Sequence, residues 1–441
     1  MNYPQWVIEG IGGPWVIGLI AISHVFISQF AVGGGFFLPI TEYIARKNGN
    51  MEMLEYVHKH TRFFTILTSV VGAMFGVGIW FAIGLVNPDA TAFLIRNFVL
   101  AWTIEWVWFF LEIASLVVYY YGWKTLSPRT HQIVGWVYLF TAVMTLFTIN
   151  GILTFMLTPG DWVENRNLWS AWFNPTFWPS FTIRLLVCLG LAGLYGLITA
   201  SRMPKEGGLR TQMLRYSAMW FIPTFVGMLF AMGWYFFALP EEVRTMLYSG
   251  VSGFARGNLA VLTRVSMLTI LFTCTMGMMI YFGAYANPDE FKGGKIAFLM
   301  LSALFVTGAG EWTREVLRKP YVIRYVMYSN GVLAANAKTL EDSEQTFLDN
   351  IKWRRTGESD GEAMFRAQCR SCHTMDGYRP LREFLAGRDE NSINSLLKIM
   401  RPGDKNPYQN IMPPVMGTDT ELASLAHYLA EEAAKADAPH H

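Results

Sequence analysis

The sequence predicts an all-α protein in which a bundle of eight membrane-spanning helices is followed by a small all-α domain outside the membrane. Two observations predict this fold class. Of the 441 residues, 52% are hydrophobic and only 15% are charged, with a positive mean hydropathy. This balance excludes an ordinary soluble enzyme, and eight apolar stretches are each long enough to cross a bilayer.

Length and hydropathy place the eight spans at 14–42, 63–86, 97–121, 133–157, 180–200, 214–239, 258–285 and 295–317. Three regions follow from this pattern. We predict a transmembrane bundle over residues 1–320, a linker over 321–356 and a polar helical domain over 357–441.

The distribution of basic residues predicts the orientation of the bundle. The connections after the first, third, fifth and seventh spans hold twelve Lys and Arg residues, whereas the alternate connections hold four. Because basic loops stay on the cytoplasmic side, both termini are expected in the periplasm of a bacterium, with the bundle in the inner membrane, in contact with lipid. The net charge of +2 and the absence of a basic run predict no nucleic-acid partner.

The run Cys369-Arg370-Ser371-Cys372-His373 is typical of a c-type haem attachment site. The two thiols would form thioether bonds, and His373 would ligate the iron. A helix before the motif, Met412-Pro413-Pro414 after it and a closing amphipathic helix over 418–434 resemble a class I cytochrome c. The resemblance makes Met412 the second axial ligand, with Met416 as the alternative, and the competing interpretation is half of a zinc site.

Histidines are scarce in the apolar part, so a non-covalent haem b would draw on few side chains. His24 lies about ten residues into the first span, where an ionisable group is expected to be functional. It is either a haem ligand or a neutral imidazole bonded to a carbonyl group. His58 and His60 lie near the second span among basic residues, and His131 begins the fourth; each is a candidate ligand or an interfacial side chain.

Charged residues within the spans are the other candidates. Glu105 and Glu112 are seven residues apart and therefore share one face of the third span, which indicates a proton path, contacts to haem propionates or a structural pair. Arg184, Arg264, Arg314 and Arg318 would neutralise haem propionates or pair with Glu105, Glu112 or Glu311.

Several short runs, in order, resemble landmarks of subunit I of cytochrome bd quinol oxidases across about residues 10–325. They are the segments 22–26, 108–112, 122–123, 149–151 and 318–321. The resemblance implies that His24 ligates a high-spin haem b, that Glu112 and the nearby Glu105 belong to a proton path, and that a second membrane subunit is present.

The chain also departs from that family pattern. The fifth span lacks the family's haem-ligating His and has Arg184 near that place, while Met267, shortly after Arg264, stands near the family's Met ligand. The family's eighth-span Glu falls near Gly308, with Glu311 one turn later. The outer loop at which quinol is oxidised is shortened, so quinone remains only one possible substrate.

Two functions follow. The first is an electron-transfer subunit that relays electrons between haem b in the bundle and a periplasmic haem c, with a periplasmic c-type cytochrome or another redox protein as partner. The second is a terminal oxidase that reduces O₂ with electrons delivered through haem c. A third interpretation, a mere membrane anchor for the cytochrome domain, leaves His24 and the paired glutamates unexplained.

Overall fold

The computed structural model describes residues 5–6, 8, 10–206, 208–251, 258–337, 346–351, 354–403 and 406–435. Within these residues, eight helices are long and apolar enough to cross a membrane, as predicted. Spans 1 to 8 are Gly13–Lys47, Met51–Val86, Val99–Lys124, Pro128–Phe155, Phe177–Ser201, Leu209–Ala238, Val261–Ala286 and Gly293–Arg318. The connections after spans 1, 3, 5 and 7 lie at one end of the bundle, which we call the basic end.

Span 1 is the central helix of the bundle, because it packs against spans 2, 4, 5 and 8. Three consecutive glycines allow this close packing. A side chain at Gly33 would meet the Cys188 backbone of span 5, one at Gly34 would meet Phe64 of span 2, and one at Gly35 would contact span 4. Small residues at such crossings let helix backbones approach each other, which is how helices associate within lipid.

Replacing Gly33 with alanine is expected to destabilise the bundle. The added Cβ would lie 2.0 Å from the carbonyl oxygen of Cys188, and overpacking of this kind costs about 1–3 kcal/mol. Thermal unfolding in detergent, followed by circular dichroism, measures the effect. Gly18→Ala in the same helix is the matched control, since nothing lies within 4 Å of its Cβ position. Equal melting temperatures for the two variants would contradict the packing argument.

Two spans contain a π-helical segment. Leu67–Gly72 interrupts span 2, and Met279–Ala286 ends span 7. A π-helical turn displaces the normal pairing of backbone carbonyl groups, and such turns are frequent at functional sites. The turn in span 2 faces span 1 at the level of His24.

The described part of the chain also contains shorter helices and one hairpin. Helices α1 to α8 are Pro88–Asn97, Trp162–Asn165, Leu168–Trp172, Glu241–Val251, Asp360–Gln368, Leu381–Leu385, Glu390–Ile399 and Asp419–Ala434. Single 3₁₀ turns lie at Gly122–Lys124, Pro288–Glu290 and Leu348–Asn350. Strands β1, Tyr321–Ile323, and β2, Met327–Tyr328, pair antiparallel directly after span 8. The sequence analysis did not predict this hairpin within the linker region.

The C-terminal domain, residues 354–435, is built around the crossing of α5 and α8. Gly361 makes the crossing possible, since a Cβ there would lie 2.2 Å from the carbonyl oxygen of Ser424. The Phe365 and Tyr428 rings pack beside this point with centroids 5.6 Å apart. Thr418 and Glu421 form a capping box at the start of α8, which fixes where the closing helix begins.

Candidate functional site

The motif Cys369–His373 follows the end of α5, so the helix crossing positions it. Both thiols are free and partly buried. The His373 Nδ1 atom lies 2.9 Å from the carbonyl oxygen of Arg379. An Nδ1–H donated to this carbonyl orients the ring and leaves Nε2 with its lone pair, as in histidines that ligate metals. Burial lowers the pKa of His373, which also favours the neutral imidazole that a metal requires.

Met412 and Met416, the two alternatives predicted as the second haem ligand, differ in their surroundings. Met416 is 2% exposed and belongs to the apolar core of the C-terminal domain. Its backbone N–H and C=O are both bonded to the Gln368 side chain, at 2.7 and 2.9 Å. Met412 is half-buried in the preceding turn and takes no part in that core. Met412 therefore has a thioether that is free to serve as a ligand.

The C-terminal domain contacts the end of the bundle opposite the basic end. The backbones of Gly10 and Gly377 touch so closely that a Cβ on Gly377 would overlap the Gly10 carbonyl group. The Tyr378 ring lies edge-on to Trp15 of span 1, with centroids 6.5 Å apart. The loop that follows the Cys-x-x-Cys-His motif is therefore packed directly on the start of span 1.

A second contact joins the motif itself to span 8. Lys319, the residue after that span, places Nζ 3.7 Å from Sγ of Cys372 and 2.9 Å from a carboxylate oxygen of Glu315. Glu315 also pairs with Arg318. Burial lowers the pKa of Lys319, but the Glu315 carboxylate outweighs burial and raises this pKa, so the ammonium group is charged.

Glu315 was missed by the sequence analysis, which considered Gly308 and Glu311 at this level of span 8. The sequence nevertheless contains a pattern that singles out Glu315. Glu315 has basic residues three and four positions later, and these are the spacings at which helical side chains meet. Its place beside the motif was not predictable, because it depends on how the two parts of the chain pack.

Deeper in the same end of the bundle lies a group of charged side chains from spans 5 and 8. Glu311 accepts from Arg314 at 2.6 Å and lies 3.8 Å from Arg184. An interhelical pair between Arg184 and Glu311, one of the two alternatives for these arginines, is therefore present. Within this group, three buried guanidinium nitrogens nevertheless have no hydrogen-bond partner among the described residues, namely Arg184 Nε, Arg314 Nη1 and Arg318 Nε. Unsatisfied cationic donors suit an anionic ligand such as a haem propionate.

His24 of span 1 lies against the π-helical segment of span 2. Its Nδ1 atom is 3.2 Å from the carbonyl oxygen of Gly72, and a Cβ on Gly76 would lie 3.1 Å from the imidazole ring. The carbonyl bond is the alternative that the sequence analysis considered for this residue. It also orients the ring in the way required of a metal ligand, because Nε2 is left available. The position of His24 therefore suits a ligand of haem b.

The other histidines differ in which ring nitrogens are already engaged. Both nitrogens of His131 are bonded, Nδ1 to Glu42 at 2.8 Å and Nε2 to the carbonyl oxygen of Tyr119 at 2.9 Å. This leaves no nitrogen for iron, so the geometry does not favour His131 as a ligand. His58 stacks on Trp123 with ring centroids 4.8 Å apart and is only partly buried.

His60 is enclosed rather than interfacial, with a side chain that is 1% exposed. Its Nδ1 atom bonds Thr199 at 2.8 Å, and Nε2 has no partner among the described residues. The expectation of a solvated side chain is therefore not met. The residue lines a crevice of 460 Å³ between spans 2 and 5 at the basic end.

Met267 and Arg264 lie on the outside of the bundle. The Met267 side chain is 62% exposed, and Arg264 is exposed as well. An axial ligand of an enclosed haem needs a buried position, so the structure does not favour Met267 in that role. Arg264 lies near the start of span 7, where a long cationic side chain extends to the membrane surface.

Glu105 and Glu112 lie on one face of span 3, as their spacing predicts. The Glu112 carboxyl group lies close enough to Tyr138 and Thr145 of span 4 to interact with them. The two hydroxyls themselves donate to the carbonyl oxygens of Ala31 and Thr141, at 2.8 and 3.0 Å. Glu105 lies close enough for the two carboxyl groups to interact electrostatically. The pair therefore lies at the contact between spans 3 and 4, which pack along their length.

Comparisons with known proteins place the bundle in a family. No curated protein sequence matches the chain. Its fold is similar to that in "The structure of bd oxidase from Geobacillus thermodenitrificans", with 15% identity, a TM-score of 0.61, and 72% of this chain and 90% of that chain covered. The family described as cytochrome bd terminal oxidase subunit I matches residues 14–238, just over half of the chain. The chain belongs to the cytochrome bd terminal oxidase subunit I family.

Proposed function

We propose that this chain is a respiratory electron-transfer subunit that relays electrons between haem b in the bundle and a c-type haem attached at Cys369 and Cys372. The family to which it belongs binds haem b. The observation that carries the proposal is the contact of Cys372 with Lys319, whose ammonium group pairs with Glu315 of span 8. It brings the attachment motif to the membrane bundle itself.

Each residue of the C-terminal site has a distinct part in this proposal. Cys369 and Cys372 hold the haem c, His373 offers Nε2 to the iron, and Met412 offers its thioether on the other side. The haem supplies a centre that gains and loses one electron. Methionine together with histidine raises the potential of such a centre and keeps it low-spin.

In the bundle, His24 is the ligand of haem b that the geometry favours. Arg184, Arg314 and Arg318 would meet propionate groups with the guanidinium nitrogens that lack partners. These arginines belong to spans 5 and 8, and Arg318 is adjacent to Lys319. A propionate held there would lie on the side of the bundle that faces the C-terminal domain.

Glu112 and Glu105 would take up a proton when haem b gains an electron. A positive charge near a buried electron stabilises it, and the stabilisation is larger where the local dielectric constant is lower. A carboxylate near the bundle interior offsets the charge of the electron when it takes up a proton and becomes neutral. Tyr138 and Thr145 of span 4 lie beside Glu112.

The proposal also implies binding partners outside this chain. A second membrane subunit would cover part of the apolar surface of spans 3 and 6, where large side chains such as Phe110 and Phe230 are more than two-thirds exposed. A periplasmic c-type cytochrome or other redox protein would exchange electrons with the C-terminal domain, and quinone is a candidate reactant at the bundle. We expect the bundle in the bacterial inner membrane, with both termini periplasmic.

The relay is tested with the purified full-length protein. Pyridine-haemochrome analysis should show haem c and haem b together, and rapid reduction of haem c by a small soluble reductant should be followed by reduction of haem b. Haem c without haem b would disprove the relay and leave an anchored cytochrome. Oxygen consumption with a reduced c-type donor, lost in a His24 variant, would instead establish the terminal oxidase.

A further inference from the structure

Polar side chains repeat at intervals of seven residues along both spans 3 and 4. Span 3 carries Glu105, Glu112 and Tyr119, and span 4 carries His131, Tyr138 and Thr145. A spacing of seven keeps side chains on one helix face and separates them by about 10 Å along the axis. The two helices are antiparallel, so the two series meet level by level. Tyr119 contacts His131, and Glu112 lies beside Tyr138 and Thr145.

The level nearest the basic end contains a closed cluster around Glu42 of span 1. The Glu42 carboxylate is fully buried. It accepts hydrogen bonds from Tyr119 Oη at 2.7 Å and Arg46 Nε at 2.7 Å, and it lies 2.8 Å from His131 Nδ1. Three helices thus converge on one ionisable pair. Glu42 was not among the residues predicted from the sequence.

The hydrogen bonds of His131 indicate that this pair holds a proton. Nδ1 faces a carboxylate oxygen, and Nε2 faces the carbonyl oxygen of Tyr119. A backbone carbonyl only accepts, so Nε2 must carry hydrogen, and the 2.8 Å contact needs one more proton on either Nδ1 or Glu42. Together, Glu42 and His131 therefore hold one more proton than a carboxylate and a neutral imidazole hold.

The surroundings connect this pair to water at the basic end. Arg46, on the last turn of span 1, is bonded to Glu42 and has a side chain that is 26% exposed. Tyr119 and His58 also interact with the cluster, and Lys124 interacts with His58. His58 lies on the far side of Trp123, whose ring is 4.5 Å from that of His131.

We propose that Glu42 and His131 form the entrance of a proton path that leads from the basic end, through Glu112, to Glu105. A proton from the aqueous phase joins the pair, and the pair passes a proton to the Glu112 carboxylate, which then hands one to Glu105. No bond other than O–H and N–H is made or broken. The inference rests on the proposed role of Glu105 and Glu112, which it extends by about two helical turns to the aqueous end.

The test uses the full-length protein in vesicles with a pH-indicating dye on the side of the basic end. Proton uptake is timed after rapid reduction of haem b. His131→Gln and Glu42→Gln keep hydrogen-bonding groups but remove the titrating ones, so each should slow uptake at least about tenfold. His58→Gln is the matched control, since it removes a nearby imidazole outside the series, and it should leave the rate unchanged.

The outcomes separate this inference from the proposed function. If Glu112→Gln slows uptake while His131→Gln and Glu42→Gln do not, the entrance is disproved and the path survives. If Glu112→Gln also takes up protons at the normal rate, the path itself is disproved.

A milder variant decides the matter if the His131 and Glu42 variants fail to assemble. Tyr119→Phe keeps the ring but removes one donor to the Glu42 carboxylate, which makes the pair hold its proton more tightly. The pH at which the uptake rate falls by half should then rise. An unchanged pH profile for Tyr119→Phe would overturn the proposal.

Discussion

Replacing His24 with alanine should remove one haem b from the purified protein while haem c remains. An imidazole ligand inside the bundle has no substitute in span 1, and Nε2 is the one ring nitrogen of His24 left available by the bond to Gly72. Without that ligand, the iron loses its attachment to the protein. Pyridine-haemochrome analysis gives the ratio of haem b to haem c before and after the change, and we expect a decrease of one haem b per haem c.

His58→Ala is the control for this experiment. His58 lies near the start of span 2, where it is stacked on Trp123 and partly exposed. Its loss should leave both haem contents unchanged. Normal haem b content in the His24 variant would reject the ligand role and leave His24 as a structural imidazole bonded to a carbonyl group. In that case His60, which also retains a ring nitrogen without a partner, would be the next candidate.

Replacing Met412 with alanine should lower the midpoint potential of haem c strongly. A thioether ligand stabilises the reduced iron, and axial ligands together tune haem potentials over about 0.8 V, so a shift on the order of 0.1 V is expected. The shift would impede electron transfer towards haem c and favour transfer away from it. Redox titration of the haem c absorbance measures it directly.

Met416→Ala should change the stability of the C-terminal domain and not the midpoint potential of haem c. Met416 is 2% exposed in the core of the C-terminal domain, so its truncation should destabilise that domain by about 2–5 kcal/mol. The potential of haem c should stay near its normal value as long as the domain is folded. Interchanged results, with a large potential shift in Met416→Ala and none in Met412→Ala, would assign the ligand to Met416 instead.

The elements predicted with most success depend on local sequence. All eight spans were predicted within a few residues at most ends, because the cost of placing polar backbone in lipid makes long apolar helices almost compulsory. Span 2 was the main exception. It begins at Met51 rather than near residue 63, since its first turns carry the polar residues that line the basic end.

Assignments that depend on neighbours in space cannot be derived from the sequence in the same way. His131 looked like a candidate ligand, but Glu42 and Tyr119 occupy both of its nitrogens. Met267 looked like a replacement for a family ligand, but its side chain faces outward. Glu42 and Glu315 were not considered at all. A residue's own position in a helix does not reveal which groups another helix will bring to it.

The amino-acid sequence by itself determined the number of spans, the shared face of Glu105 and Glu112, and the Cys369–His373 motif. Each of these follows from the period of a helix, the thickness of a bilayer or the spacing of a short motif. Only the tertiary structure decided which imidazole nitrogens stay available, that Glu42 joins His131, and that Lys319 brings span 8 to Cys372. Those contacts join residues far apart in the chain, so they exist only once the helices have packed.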